Sequence, residues 1–499
     1  MGRPTRKPQG TLEFLDKENG SWLSRQVKDA KAQRLAPGIY AIGSSISAEN
    51  VVRQYICEIV NHVWAGAVII GKTARGAGLP VNHELFVAQP ELTRKSPLQL
   101  PGVIVYPVQS PGALKGDIQL PNGLYQSSTA RTLIENVDRL GRRHKYRGGN
   151  AFVEDIIDEE MRIGGSRRIK QILDNLAEIS SEFDYSSVIN AEERLKAVLN
   201  PLSAKITPSS ERLASRLAGE PFDADRIDLF SGLVGALKKW APYTMPASKP
   251  DSRWEWEPFF EAYFSNFIEG TKFTIEEAYE IVVRKEESHG RPADAHDITA
   301  TFELASDIHD RVRVPNDFES LKIILKERHQ KLMSVRMDLL PGEFKTEDNF
   351  AGGYRFVEHQ LLEGTLRHGF ELINTLSDAM SRAVGMMVLI TECHPFRDGN
   401  GRIARLMANS ELSRVGEVRV VIPTIYRDNY ISGLSGFSNR NGQGEPLRAI
   451  FEFAQKWTSE VDWSSFDLAD KDMQRTNAYL ETARAESKGL RLRLPGDVI

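Results

Sequence analysis

The stretch His394-Pro-Phe-Arg-Asp-Gly-Asn-Gly-Arg-Ile-Ala-Arg405 decides how this sequence is interpreted. Gly399 and Gly401 let backbone N–H groups turn toward one point, which suits the binding of an anion. Residues 403–414 suit a helix, so the turn would open on a helix N-terminus, whose unpaired N–H groups favour phosphate. Residues 383–390 are apolar on nearly every face, as in a central buried helix. The stretch therefore predicts a phosphate-binding loop between two helices.

The side chains of this loop suit nucleotide chemistry. Asp398 offers a hard oxygen ligand for Mg²⁺ held between phosphates. Arg402 and Arg405 lie three apart on the following helix and can both fork onto phosphate oxygens. His394 is a candidate general base toward an attacking hydroxyl, and Phe396 is expected to point inward and anchor the loop. Each residue alone is explained equally by packing or capping, but a structural loop does not need the whole combination.

Eight positions fit the pattern His-x-Phe-x-Asp/Glu-Gly-Asn-Gly-Arg-x-x-Arg, and the chain resembles the Fic family in this stretch. The resemblance implies a mostly α-helical core with a β-hairpin flap. It also implies transfer of AMP from ATP to a hydroxyl side chain of a target protein, with ATP and Mg²⁺ required. The residues implied to bind the nucleotide are Phe396, Gly399, Asn400, Gly401, Arg402, Arg405 and Tyr430. Relatives that transfer phosphate carry lysine at the position of Gly401, whereas transfer of UMP or phosphocholine stays open.

Two turn-rich segments before this loop, 340–345 and 349–353, resemble the flap of the family, a hairpin that binds an extended protein substrate by adding it as a strand. The docking residues are then Asn349, Phe350, Ala351, Gly352 and Gly353. Alone, Pro-Gly and Gly-Gly are ordinary turn signals. The proline-rich stretch that often follows the flap is replaced by residues 356–361, so target docking is expected to differ.

An inhibitory pattern, Ser/Thr-x-x-x-Glu-Gly/Asn, fits Ser265-Asn-Phe-Ile-Glu-Gly270 and singles out Ser265, Glu269 and Gly270. A carboxylate from Glu269 on Arg402 would occupy the space that the γ-phosphate of ATP needs. The pattern is loose, and Ser45–Asn50 fits it too, but only the copy at 265 ends a helical stretch. The alternative is an exposed glutamate in a weak surface pair.

The remaining sequence suggests further domains. We predict a basic tail at 1–10, a winged helix plus small α/β unit at 11–140, a linker and helical extension at 141–222, the Fic domain with its inhibitory helix at 223–465, and a C-terminal helical tail at 466–499. Residues 11–34 are predicted to form two or three short helices, followed by a strand-prone wing at 35–42.

Short stretches of the N-terminal region (34–40, 67–71 and 128–133) resemble antitoxin-type regulators of the AbiEi class. A modest basic excess in residues 1–40, eight Lys or Arg against four acids, suggests a DNA contact through residues 11–40. The alternative is a domain that binds protein or packs on the catalytic part. Residues 66–73 fit a P-loop pattern letter by letter. Their four intervening residues are apolar and largely β-branched, which predicts a buried strand instead.

Composition limits the remaining functions. The chain has 499 residues, 41% of them hydrophobic, and a formal net charge of -4, so no global positive field draws it to nucleic acid or to membranes. No signal peptide or membrane-spanning run is evident, so we expect a cytoplasmic protein with no membrane partner. Two alternative functions stay open: a DNA-binding regulator with the Fic core as sensor, and removal of AMP at the same site. A homodimer is a further open possibility.

Overall fold

The computed structural model describes residues 11–43, 47–76, 78–92, 94–137, 145–247, 253–286, 290–439 and 444–498. The chain divides into two compact units, Met1–Gly219 and Glu220–Ile499. Each unit has hydrophobic cores of its own. The finer domain boundaries predicted from the sequence stay predictions.

The first unit begins with a small antiparallel sheet, not with a group of helices. Its elements are β1 (Thr11–Phe14), α1 (Gly20–Lys28), β2 (Ala32–Ala36) and β3 (Ile39–Ile42), with strand order β1-β3-β2. The predicted two or three helices in 11–34 are therefore wrong, because the described residues there form a single helix. The reason is tertiary pairing: Thr11 lies opposite Ile42 and Phe14 opposite Ile39, which holds β1 extended. The strand-prone wing at 35–42 is confirmed by the β2–β3 pair.

A six-stranded mixed sheet follows. After α2 (Ala48–Val63) come β4 (Val68–Ile69), β5 (Glu84–Gln89), β6 (Leu98–Leu100), β7 (Val103–Gln109), β8 (Ile118–Gln119) and β9 (Tyr125–Gln126), in the order β6-β7-β5-β4-β9-β8. The P-loop pattern falls on β4, which is buried, and Lys72 Nζ lies 3.1 Å from Glu84 Oε2. This confirms the strand predicted in place of a phosphate loop. Of the second inhibitory match, Ser45 lies outside the described residues.

Helices complete the first unit. They are α3 (Thr129–Asn136), α4 (Gly149–Ile179), α5 (Tyr185–Leu199) and α6 (Glu211–Leu217). Helix α4 is interrupted at Gly165, whose φ is +58°. The described end of the predicted linker packs onto the sheet, since the carbonyl of Tyr146 accepts a hydrogen bond from the amide of Lys72.

The second unit is mostly α-helical with one small hairpin, as predicted. Its elements are α7 (Ala224–Leu237), α8 (Arg253–Ile268), α9 (Ile275–Val282), α10 (Pro292–Ser306), α11 (Phe318–Met333), β10 (Phe350–Ala351), β11 (Tyr354–Arg355), α12 (Leu362–Ile373), α13 (Ala379–Cys393), α14 (Asn400–Arg414), α15 (Arg427–Asn439), α16 (Glu445–Glu460), α17 (Phe466–Arg475) and α18 (Thr482–Ser487). Among the described residues, no helix combines the length and apolarity needed to cross a bilayer.

Helices α13 and α14 form the centre of this unit. Nearly every residue of α13 is buried, as expected for a helix apolar on all faces. Asp378 caps its start by accepting the amide of Ser381, and His394 ends it in the left-handed conformation with φ +47°. The chain then turns through residues 394–399 and enters α14 at Asn400.

Helix α8 lies in a separate aromatic core. Phe259, Phe260 and Phe264 are fully buried among side chains of the C-terminal region, including Trp457 and Trp463. Such aromatic contacts contribute beyond their buried area. The helix that carries the inhibitory pattern is thus an integral part of the second unit.

Candidate active site

The loop between α13 and α14 is closed by its own side chains. Asn400 Oδ1 accepts the amide of Phe396 at 2.8 Å, and Asn400 Nδ2 donates to the carbonyl of Phe396 at 2.8 Å. The Phe396 ring is buried and stacks on His329, with centroids 3.8 Å apart. The prediction that Phe396 anchors the loop is confirmed. His329 was not expected from the sequence, because no motif marks it.

His394 has the environment of a neutral imidazole. Its ring stacks on Phe356 at 3.8 Å, and Nδ1 lies 3.3 Å from the carbonyl of Thr391. Burial lowers the pKa of His394 to about 4, opposed by the carbonyl of Thr391 and helped by the charge of Lys345. A proton on Nδ1 directed at Thr391 leaves Nε2 as an acceptor. This is the state that a general base requires.

The start of α14 leaves backbone N–H groups for an anion. Gly399 has φ +76°, and a Cβ at this position would lie 2.6 Å from Met333 Cε. At Gly401 a Cβ would lie 2.2 Å from Glu269 Oε1, so a carboxylate already lies beside this helix N-terminus. A negative group at this place is favoured by the unpaired donors and the helix dipole.

The two arginines of the motif have different partners, and the predicted pair of Glu269 with Arg402 is wrong. Arg402 is buried and binds Asp297, with Nη1 2.8 Å from Oδ2. Glu269 instead binds Arg405, with Oε1 2.6 Å from Nη2. The physical reason is helical geometry: residues three apart lie on neighbouring faces, and α10 presents Asp297 to one face while the end of α8 presents Glu269 to the other.

Ser265 and Gly270 define how Glu269 reaches the site. Arg405 donates from Nε to the hydroxyl of Ser265 and from Nη2 to its carbonyl, both at 2.9 Å. The amide of Gly270 bonds to the carbonyl of Phe267, and that of Thr271 to the carbonyl of Asn266, both at 3.0 Å. With φ +96° at Gly270, this is a glycine-terminated helix end. The turn fixes the backbone of Glu269 next to the loop.

One cavity joins these groups. It has a volume of about 420 Å³, and its wall includes Glu269, His394, Gly401, Arg405 and Tyr430. The phenol of Tyr430 is buried and its ring lies under the guanidinium of Arg405, 5.9 Å from centroid to Cζ. The cavity is therefore bordered by a base, a cation and a helix N-terminus. The adenine contact of Tyr430 stays a prediction.

The flap is smaller than predicted. β10 and β11 pair antiparallel, with Phe350 opposite Arg355 and Ala351 opposite Tyr354, around Gly352 and Gly353. Residues 340–345 do not join this hairpin, which corrects the prediction. Lys345 is instead buried, with its amide 2.8 Å from the carbonyl of Pro395 and Nζ 3.1 Å from that of Cys393. The backbone amide of Lys345 thus satisfies the carbonyl of Pro395 in the loop, and its amine satisfies the carbonyl of Cys393 at the end of α13.

Asn349 was predicted to dock the target, but its side chain faces inward. Nδ2 donates to the carbonyl of Phe396 at 3.0 Å, and Oδ1 accepts from Lys345 Nζ at 2.7 Å. Phe350 lies at the opposite extreme, with 61% of its surface exposed. Phe350 is thus available to a partner, whereas Asn349 holds the loop between α13 and α14 in place.

The fit to Mg²⁺ rests on Asp398. No cluster of three or more His, Cys, Asp or Glu side chains suited to a metal is found in the described ranges. Asp398 Oδ1 accepts the amide of Gly399, and the side chain is 55% exposed. One exposed carboxylate is compatible with Mg²⁺, which commonly takes its other ligands from substrate phosphates and water.

Sequence reasoning missed Asp297, Phe356 and Glu392. Asp297 and Glu392 are buried acids that lie within helical stretches and match no pattern, so nothing local marks them. Phe356 stood out only as the first residue of the segment 356–361, which replaces the proline-rich stretch expected after the flap. Its stack on His394 gives that departure a structural role.

The fold and the site together define a class of protein: a helical domain built on a helix pair joined by an anion-binding loop with histidine, glycines and arginines. Residues 321–412 match the model of the Fic/DOC family. Over these residues the chain is similar to that family.

Its relatives include the protein adenylyltransferase Fic of Drosophila mojavensis, 27% identical over 220 residues, which cover 42% of this chain and 43% of the relative. The protein of the same description from Drosophila erecta is 28% identical over 220 residues, with the same coverage. The chain thus spans less than half the length of these curated relatives.

Two solved structures are also similar. Fic-1 (aa134–508) from C. elegans is 16% identical with a TM-score of 0.34, over 60% of this chain and 88% of that chain. A Fic domain containing signaling protein from Bacteroides thetaiotaomicron is 20% identical with a TM-score of 0.36, over 47% and 96%.

Proposed function

We propose that this protein transfers AMP from ATP to a hydroxyl side chain of a target protein and that Glu269 restrains the reaction. The observation that carries the proposal is the cavity in which His394, Arg405 and the N-terminus of α14 meet. Relatives named protein adenylyltransferase support the same activity.

The chemistry follows from what borders the cavity. The phosphates of ATP would lie against the backbone N–H groups at Gly399–Gly401 and the guanidinium of Arg405. The target hydroxyl attacks the α-phosphorus, the bond to the β-phosphate oxygen breaks, and pyrophosphate leaves. His394 Nε2 takes the proton of the hydroxyl. When bound, Mg²⁺ would neutralise phosphate charge, with Asp398 as its protein ligand.

The target would bind along β10. This strand pairs only with β11 within the described residues, so its outer edge is open to an extended segment. The exposed Phe350 offers an apolar contact at the same edge. Strand addition there would bring a hydroxyl toward His394, since the flap leads through Phe356 to the His394 ring.

The restraint acts through Arg405 and not through Arg402. Glu269 holds the guanidinium of Arg405 and lies beside Gly401, where a phosphate would bind. A carboxylate and a phosphate cannot share these donors, so nucleotide must displace Glu269 or bind in an unproductive position. Glu269 is 28% exposed, which leaves it room to move.

The test uses the full chain, Mg²⁺, ATP labelled at the α-phosphate and a cell lysate. We expect Glu269→Gly to increase labelled protein by about tenfold or more, and His394→Ala in that background to abolish it. Glu481→Gly, which removes a surface pair with Lys272, is the matched control and should change nothing.

An unchanged yield from Glu269→Gly would exclude the restraint. Labelling that persists in His394→Ala, or is absent in every variant, would exclude the proposed transfer. Following release of AMP from labelled protein separates transfer from the reverse reaction.

A further inference from the structure

The flap cannot hold its own position. Each of its strands has two residues, and an isolated two-stranded hairpin is marginally stable at best in water. Contacts with the helical core must therefore fix it. Asn349, before β10, bonds to the loop at one end of the flap. Of the two strands, β11 makes the contacts, because Tyr354 is partly buried whereas Phe350 and Ala351 of β10 are exposed.

The contacts of β11 converge on Glu392, in the last turn of α13. Tyr354 Oη donates to Glu392 Oε2 at 2.5 Å, and the hydroxyl of Ser438 on α15 donates to Oε1. Arg226 of α7 places Nε 3.5 Å from the same carboxylate. Glu392 is buried, and a buried carboxylate requires such partners.

Arg226 continues the connection to the flap. Its Nη2 donates to the carbonyl of Arg355 at 2.8 Å, and its guanidinium lies over the Tyr354 ring at 4.9 Å. The amide of Val357 donates to the carbonyl of Glu392 at 3.4 Å. One acidic side chain therefore ties the inner strand of the flap to three helices, while the outer strand stays open.

The Tyr354 side chain that bonds to Glu392 is separated from His394, the proposed general base, by the ring of Phe356 alone. Tyr354 packs edge-on against Phe356 at 5.5 Å, and Phe356 stacks on the ring of His394 at 3.8 Å. Tyr354, Phe356, Glu392 and His394 all border the cavity. A shift of the Tyr354 side chain would thus alter both the flap edge and the cover over His394.

We propose that Glu392 is a positioning residue that holds the flap against His394 through Tyr354 and Arg226. It keeps the β10 edge at the distance where the hydroxyl of a bound target meets the imidazole. The proposal deepens the proposed function and rests on it for the role of the flap, but the positioning itself is measurable without AMP transfer. Small displacements of reacting groups have large effects on rate.

The test compares two single variants of the chain, the double variant that combines them, and a control. Glu392→Gln removes the charge that Arg226 faces, and Tyr354→Phe removes only the hydroxyl bonded to Glu392. Glu411→Gln is the matched control, because Glu411 is an equally buried carboxylate that binds Arg382 at 2.7 Å, on α14 and away from the flap.

Two measurements do not depend on activity. Amide hydrogen exchange measures how well the backbone of residues 350–357 is protected. The rate of carbethoxylation of His394 by diethyl pyrocarbonate measures how far Phe356 shields the imidazole from reagent. We expect Glu392→Gln and Tyr354→Phe each to increase both rates by about tenfold, because each loses one hydrogen bond to a charged group. The double variant should add little more, because both changes break the same contact. Glu411→Gln should leave both rates unchanged.

A third measurement concerns catalysis. In the Glu269→Gly background, labelling of lysate protein should fall about tenfold with either Glu392→Gln or Tyr354→Phe, while the dissociation constant for ATP stays within about twofold.

Flap exchange and His394 modification equal to those of the control would overturn the proposal. If Glu392→Gln does not fold, the same comparison with Tyr354→Phe decides. Changed exchange without any labelling in any variant would contradict the proposed function and leave the positioning intact.

Discussion

At the scale of single residues, the two arginines of the motif show what spacing can and cannot predict. Their separation by three places them on neighbouring helix faces, which the sequence established. Which face meets the cavity depends on Asp297 and Glu269, which come from α10 and the end of α8. Neither partner is near the motif in sequence, so the wrong arginine was paired with Glu269.

The pKa of His394 leads to a prediction about pH. Burial and Lys345 lower it to about 4, against the acidic contributions of Glu269 and Asp398. A base is active when unprotonated, so the active form is fully present above about pH 5 and is lost as pH falls through 4. Because Glu269→Gly removes a charge that raises the pKa of His394, we expect single-turnover labelling by this variant to stay constant from pH 7 to 5.5 and to decline only below about pH 5. A midpoint near 6.5, the ordinary histidine value, would contradict this environment.

At the scale of elements, the glycines predicted where the chain reverses or a helix ends. Gly352-Gly353 predicted a turn, and Gly270 follows the predicted end of a helical stretch. Gly352 and Gly270 both have the left-handed backbone that favours glycine. Residues 340–345 misled for the same reason: a Pro-Gly turn is present, but Lys345 is held inward by its bonds to the carbonyls of Cys393 and Pro395. A turn signal predicts a reversal of the chain and not its pairing partner.

Helix α8 allows a test of its glycine end. Gly270→Ala places a side chain at φ +96° with no neighbouring atom within 4 Å, so only backbone strain opposes it. We expect a loss of about 1 kcal/mol in the free energy of unfolding. Gly235→Ala, inside α7 and also without close neighbours, should instead add about 0.5–1 kcal/mol. Urea unfolding measures both, and equal signs would contradict the assigned helix end.

At the scale of the whole molecule, the unit Glu220–Ile499 was predictable because its signal is local and dense. The N-terminal half was predicted less well: β1 was taken as helix because its pairing with β3 cannot be seen in a short window. The DNA contact proposed for residues 11–40 stays a prediction that rests on their basic charge, and the structure forms one helix, α1, in this segment.

Separate cores predict separate folding. The buried clusters of Met1–Gly219 and of Glu220–Ile499 share no residue, so each unit should fold alone. We expect a fragment of residues 220–499 to unfold in one cooperative transition and to label protein when it carries Glu269→Gly. Circular dichroism during heating checks the first claim. The fragment 1–219, mixed with duplex DNA over a range of salt concentrations, tests the DNA contact.

The aromatic anchoring of α8 affects how fast Glu269 can leave Arg405. Because the helix is fixed by buried rings, Glu269 can leave Arg405 by rotating about its own side-chain bonds, which takes picoseconds to nanoseconds, without the slower opening of a helix. The carboxylate then behaves as a tethered competitor with a high effective concentration. The resting protein would sample its open site constantly, and the yield of the reaction would depend on how long ATP stays and not on how fast the site opens.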